Sequence, residues 1–240
     1  MAEYALYLES GPRKQKTMAH VLDLLGCIAQ GATTSDAIAA APEAIRTYLR
    51  FLNRHGETVD LEKEITTRVA EHVMEGPWLG NGDPYPGFAP DFQPLSRDEL
   101  GVFLHRLAWL HDDLLRLTRG LTPEQLLARP ASGGRPISRI LEHVAASHAG
   151  YLNAALGSVD GLRDAVRAVE LFPEVQPAAL TRVWQISLNR LEAMTAAELN
   201  QRIQRGQKTW TARRMLRRML EHGWEHLLEI SRRVEVNLAR

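Results

Sequence analysis

The sequence predicts an α+β domain over residues 1–75 followed by an all-α four-helix bundle over residues 96–240. Three observations predict this. Apolar residues alternate with period two only in the first block. From residue 96 onward they recur with the 3.6-residue period of amphipathic helices. Between the two lies GPWLGNGDPYPGFAPDFQPL (76–95), in which nine of twenty residues are Gly or Pro, against about 12% in average proteins. Composition supports a folded chain: of 240 residues, 45% are hydrophobic and 24% charged. Lys+Arg and Asp+Glu are both 29, which argues against a generic polyanion binder. A single cysteine, Cys27, excludes an intrachain disulfide framework and a multi-cysteine zinc site. No apolar run reaches the roughly 18 residues of a membrane span. The start, MAEYALYLES, lacks an export signal, so the expected location is the cytoplasm.

In the first block, Tyr4, Leu6 and Leu8 alternate against Glu3 and Glu9, which predicts a strand. TMAHVLDL (17–24) reads as a second strand ending at Gly26. A helix follows, with Thr34 or Ser35 as N-cap and a stripe of Ile38, Ala41, Ile45, Tyr48 and Leu52. Pro42 inside it predicts a kink or a short restart. A last strand is expected at about 61–68, followed by a tail. The 76–95 segment is a linker, and its four aromatics, Trp78, Tyr85, Phe88 and Phe92, predict that it docks against a domain.

The bundle opens with a capping box, Ser96 with Glu99, and a face of Leu100, Phe103, Leu104, Leu107, Leu114 and Leu115. Thr122-Pro123-Glu124-Gln125 starts another helix. Gly133-Gly134 precedes a helix over about 136–156. A further helix at about 177–194 carries Leu180, Val183, Trp184, Leu191 and Met194, and the last runs from about 211 to 234.

Histidines are the unusual feature of this block. His222 and His226 are four apart on the last helix, about 40° apart around its axis, so both rings leave one face. Both lie on or beside its apolar stripe, where neutral imidazoles need partners. A divalent metal is one such partner, and the i,i+4 spacing suits it. A third ligand must come from elsewhere. His105 falls on a polar face. His111 and His148 fall within apolar stripes, so periodicity prefers either of them as third ligand, the simpler reading being core histidines. His143 lies about 60° outside Ile140, at the edge of its stripe.

The segments LAWLHDDLLRLTRGLTPEQLLARP, GGRPISRILEHVAASHAGYL and KTWTARRMLRRMLEHGWEHLLEI resemble the helices of DinB-like four-helix proteins, over residues 96–235. The resemblance implies one divalent metal, Zn or Ni, held by His143, His222 and His226. Where relatives commonly carry Glu, this chain has His148, an additional or alternative ligand. Relatives include thiol S-transferases and isomerases using bacillithiol or mycothiol, so the resemblance implies a small-molecule substrate or a low-molecular-weight thiol. AHVLDLLGCIAQGATTSDAIAAAPEAIRTYL, with Asp23, Gly26, Cys27, Gly31, Ala37, Ala44 and Ile45 in place, resembles the HicB-type antitoxin domain. That resemblance implies a toxin partner. A module kept for packing or dimerisation is the plainer reading, with Cys27 a small buried hydrophobe rather than a nucleophile.

Two functional classes follow. The first is metal-assisted activation of a water or thiol, as a transferase or hydrolase. Glu142, Glu221 and Glu225 lie on polar faces by periodicity and are not expected to act as bases. The second is a non-enzymatic regulatory or binding protein. It rests on Arg202, Arg205, Lys208, Arg213, Arg214, Arg217 and Arg218, a run without Asp or Glu that could meet nucleic acid or an acidic partner. The plainer expectation is a solvated helix face. Trp224, about 180° from Met215, is expected on that exposed side, where it would mark a helix or homodimer contact.

Overall fold

The computed structural model describes residues 1–12, 15–82, 85–131, 133–171 and 176–234. The first block holds β1 (Ala2–Ser10), β2 (Gln15–Val21), β3 (Ile28–Thr33), α1 (Thr34–Arg54) and β4 (Ile65–Val73). They form one sheet of order β3-β2-β1-β4, antiparallel except for the parallel β1–β4 pair. In the β1–β2 register Leu6 faces Val21 and Leu8 faces Ala19, all buried. Tyr7 opposite His20 and Glu9 opposite Met18 therefore point to the other face.

Several expectations are corrected here. β3 was not read from the sequence, because IAQGAT contains Gly31 and shows little alternation. The second strand ends at Val21, and Leu22–Leu24 form a 3-10 turn. Gly26 then takes φ +109°, and a Cβ there would stand 2.3 Å from the Tyr48 hydroxyl, which donates to the Leu25 carbonyl. The N-cap of α1 is Thr33, in a capping box with Asp36. Pro42 does not interrupt α1, whose buried face of Ala37, Ala41, Ile45, Tyr48 and Leu52 outweighs one missing backbone hydrogen bond. β4 lies a few residues beyond the expected 61–68 strand, and the supposed tail is its second half.

The second block contains α2 (Arg97–Thr118), α3 (Pro123–Leu127), α4 (Ile137–Leu156), α5 (Leu162–Leu171), α6 (Gln176–Glu192), α7 (Ala196–Asn200) and α8 (Ala212–Arg233). The long helices α2, α4, α6 and α8 pack as a bundle, with α5 against α4 and α6. The hairpin of β5 (Ile203–Arg205) and β6 (Lys208–Trp210) was too short to show a period. No helix among the described residues is long and apolar enough to cross a membrane.

The largest correction concerns α8. Its supposed solvent face is buried. Trp224 is 1% exposed and packs edge-on against Tyr48 of α1, with ring centroids 5.1 Å apart, and against Phe51. Arg214, Arg217 and Arg218 are also buried. Five of the seven basic residues bind the linker, while Arg205 donates to Ala154 of α4. An irregular segment rich in Gly and Pro has carbonyls with no ladder partner, and buried carbonyls require donors. Arginines supply them: Arg202 to Phe92 O, Arg213 to Pro94 O, Arg214 to Tyr85 O, Arg217 to Pro86 O and Arg218 to Gly82 O. Phe88 completes the docking, buried against Tyr7 and His20.

Between sheet and bundle lies a buried ionic network. The two Arg217 nitrogens Nε and Nη2 donate to Asp91 at 2.8 and 2.9 Å. Glu221 accepts from Arg217 at 3.0 Å, from Arg218 at 2.8 Å and from His20 Nδ1 at 2.8 Å. Burial alone would raise the Glu221 carboxyl, but Arg217, His20 and Arg218 outweigh it and hold it down to about 2. Burial would lower His20, yet Glu221 raises it above its ordinary value.

Candidate metal centre

Three histidines from two helices converge at one edge of the bundle. His143 of α4, His222 and His226 of α8 each offer a ring nitrogen, and all three atoms lie within 4.8 Å of one another. His143 Nε2 and His222 Nε2 are 2.9 Å apart. Helix geometry explains the pairing on α8, since residues four apart stack on one face. His143, at the edge of its stripe, is exposed at the rim, whereas His222 and His226 are buried. The edge position that periodicity ranked low is the one that meets the α8 pair, because α4 turns its core stripe toward α6 and α5 as well as α8.

The surroundings favour the neutral imidazole at His143 and His222. Burial, the Arg135 guanidinium and the neighbouring His226 push His143 down to about 4. Burial, with His226 and His143 close by, holds His222 well below its ordinary value. Glu229, one turn on, accepts from His226 Nδ1 at 2.7 Å and is lowered by that bond. The proton is thereby placed on Nδ1, which leaves the Nε2 lone pair for another partner. Glu229 in turn accepts from Arg233 at 2.6 Å. Sequence reading missed Glu229, although its His226-x-x-Glu229 spacing was a usable signal.

These residues fit a divalent ion. Zn–N bonds of ~2.0–2.1 Å put tetrahedral ligand nitrogens about 3.3 Å apart, between the 2.9 Å of the His143–His222 pair and the 4.8 Å that bounds the group. Two facing, deprotonated Nε2 atoms at 2.9 Å repel unless a proton or cation lies between them. Arg135 Nη2 is 3.3 Å from His226 Nε2, so its partly exposed side chain must swing outward to admit an ion. The centre opens into a cleft of about 420 Å3. Trp78, Asn81 and Gly82 of the linker form one wall, and Arg135, Ser147, Tyr151 and Glu225 line the rest. Trp78 is 76% exposed in a left-handed backbone conformation, φ +61°. Gly82, φ +71°, is held by its N–H to Glu9 and its carbonyl to Arg218.

The other histidines lie elsewhere. His105 is exposed and stacks near Trp109. His148 does not join the converging group: it is buried among the bundle helices with its ring 5.2 Å from His111, which stacks on Trp184 at 4.0 Å. His111 Nδ1, His148 Nε2 and Trp184 Nε1 have no hydrogen-bond partner among the described residues. Burial pushes His148 down to about 3. In the unfolded chain it binds a proton below about pH 6.5. Between those values the unfolded state holds the extra proton, so stability falls as pH drops through this window. His148→Leu should therefore shrink the fall in urea midpoint between pH 7 and pH 4. An unchanged fall would locate the acid sensitivity in other groups.

Of the three carboxylates near the ligands in sequence, Glu142 pairs with Arg139, Glu221 belongs to the buried network, and Glu225 lines the cleft. One Glu225 oxygen accepts from Gln30 of β3 at 2.8 Å. Cys27 is fully buried, and burial raises its thiol. It is no nucleophile for this site.

Comparison with known proteins places this geometry in context. A family model described as the DinB superfamily matches residues 106–230, a span that contains all three converging histidines. Among solved structures, YfiT from Bacillus subtilis, described as a probable metal-dependent hydrolase with an unusual four-helix bundle topology, is similar at 16% identity. The match covers 64% of this chain and 97% of that one, with a TM-score of 0.46. No curated protein matches.

Proposed function

The chain belongs to the DinB superfamily, and from that membership we propose that it is a divalent-metal enzyme whose ion, Zn or Ni, is held by His143, His222 and His226. The observation that carries this reading is the convergence of three ring nitrogens within 4.8 Å. Imidazole ligands from His143, His222 and His226 would add no negative charge to the ion. Held there, such an ion would supply Lewis acidity toward a water or thiol near neutral pH. The chemistry we assign is therefore hydrolysis or thiol transfer on a small molecule in the cleft.

The protein residues divide the remaining work. Glu229 holds the His226 proton on Nδ1 and fixes the ring. Arg135, once swung outward, offers a guanidinium to an anionic part of the substrate. Glu225, which periodicity alone set aside as a base, lines the cleft, and we assign it as the proton acceptor there, with Gln30 orienting it. We read the first block, whose sequence resembles the HicB type, as a module that packs on α8 through Trp224 and the ionic network rather than as a toxin-binding one.

The experiment is metal titration of the purified chain with Zn and Ni, read by elemental analysis after desalting. One equivalent is expected. His143→Ala, His222→Ala and His226→Ala should each lower affinity at least a hundredfold, while His148→Ala should leave it unchanged. Failure to take up either metal, or equal loss in His148→Ala, overturns the ligand set.

A further inference from the structure

A second cavity, of about 530 Å3, lies between β3, α1 and α8. Its walls are mainly apolar: Ile28 and Ala29 of β3, Ala40 and Ala44 of α1, and Leu228 with the edge of Trp224 on α8. The small alanines are what leave it open. Its charged residues, Glu43, Glu225 and Arg232, are of mixed sign. Glu225 lines this cavity and the metal cleft alike, and the Gln30–Glu225 hydrogen bond stands at their boundary. From Glu225 to Arg232 is seven residues, roughly 10 Å along the helix.

We propose that this cavity is the second half of the substrate site, taking the uncharged apolar body, an alkyl or acyl chain, of a molecule whose polar head reaches the three histidines past Glu225. The proposal rests on the metal reading above and adds the substrate class. A volume in the range of small-molecule sites, an apolar lining and a shared wall with the cleft carry it. It also gives the first block a part in the site, because β3 and α1 supply two of the three walls. Binding energy from such a remote chain is the usual means of positioning a reacting head.

The test uses zinc-loaded full-length protein and a series of straight-chain alkyl hydroxamates of two to eight carbons, titrated calorimetrically. Affinity is expected to rise about three- to fourfold per methylene. Ala40→Phe, at an exposed helical position on the cavity wall, should flatten the series while leaving acetohydroxamate affinity and zinc content unchanged. Acetohydroxamate binding with a flat series in the native protein overturns the proposal. So does a series that steepens only after removal of residues 235–240, which would assign the cavity to the chain's own terminus. If zinc is not taken up, the metal reading fails separately. The cavity is then judged on metal-free protein with the fluorescent dye 1-anilinonaphthalene-8-sulfonate: binding lost in Ala40→Phe supports an apolar ligand site, and equal binding in both overturns it.

Discussion

Glu221→Ala is expected to destabilise the folded chain by about 3–5 kcal/mol, the usual cost of leaving buried charge without its partner. Glu221 accepts from His20, Arg217 and Arg218, all of them buried. Removing it takes from the Arg218 guanidinium its directly bonded carboxylate, leaving the Gly82 carbonyl and Tyr151, and leaves His20 facing Arg217. Urea unfolding at pH 7 measures the loss, and a change under about 1 kcal/mol would mean that water reaches the network. The pH dependence gives a second readout. The Glu221 carboxyl sits near 2 in the fold, below its ordinary value of 4.5. Its contribution is therefore complete above about pH 4.5 and is lost as pH falls toward 2. Glu221→Ala should lose less stability across that acid window than the native protein. Arg217→Ala should also be damaging, because it takes the guanidinium from Asp91, which among the described residues keeps only the Phe88 N–H, and removes one of the three partners of Glu221.

Trp224→Ala is expected to cost about 3–5 kcal/mol, as large-to-small changes in a close-packed core do. The indole is 1% exposed and fills the seam between Tyr48, Phe51 and α8. Its loss should loosen the first block from the bundle before the bundle itself melts. Hydrogen exchange of α1 amides should then accelerate more than that of α2 amides. A uniform acceleration in both would show that sheet and bundle unfold as one unit. The same substitution removes a wall of the second cavity, so it should also increase dye binding there or abolish it, rather than leave it unchanged.

Much of the architecture was legible because it depends on local periodicity. The capping box at Ser96, the proline-led start at Pro123 and the long stripes of α2, α4, α6 and α8 fall where the sequence predicts them. Short or glycine-bearing elements, β3 and the β5–β6 hairpin, were not legible, since six residues or fewer carry too little pattern. The His222–His226 pair was visible from spacing alone. Its companion was not: periodicity favoured His148, and only the resemblance pointed to His143. A residue at the edge of one helix's core stripe is what a neighbouring helix can reach at the bundle rim. A residue in the middle of the stripe is sealed in the core, as His148 is.

The sequence by itself determined which segments are helical, where they begin, and that imidazoles stand on one face of the last helix, because each follows from residue type and a fixed repeat. Tertiary structure alone decided what the polar face of α8 is for. Arg214, Arg217, Arg218, Glu221 and Trp224 look like a solvated surface when the helix is taken alone. They are buried because the sheet and the linker bring carboxylates, carbonyls and aromatic rings to meet them. A helical repeat records which residues share a face, and whether that face meets water or complementary charge depends on chain segments more than a hundred residues away.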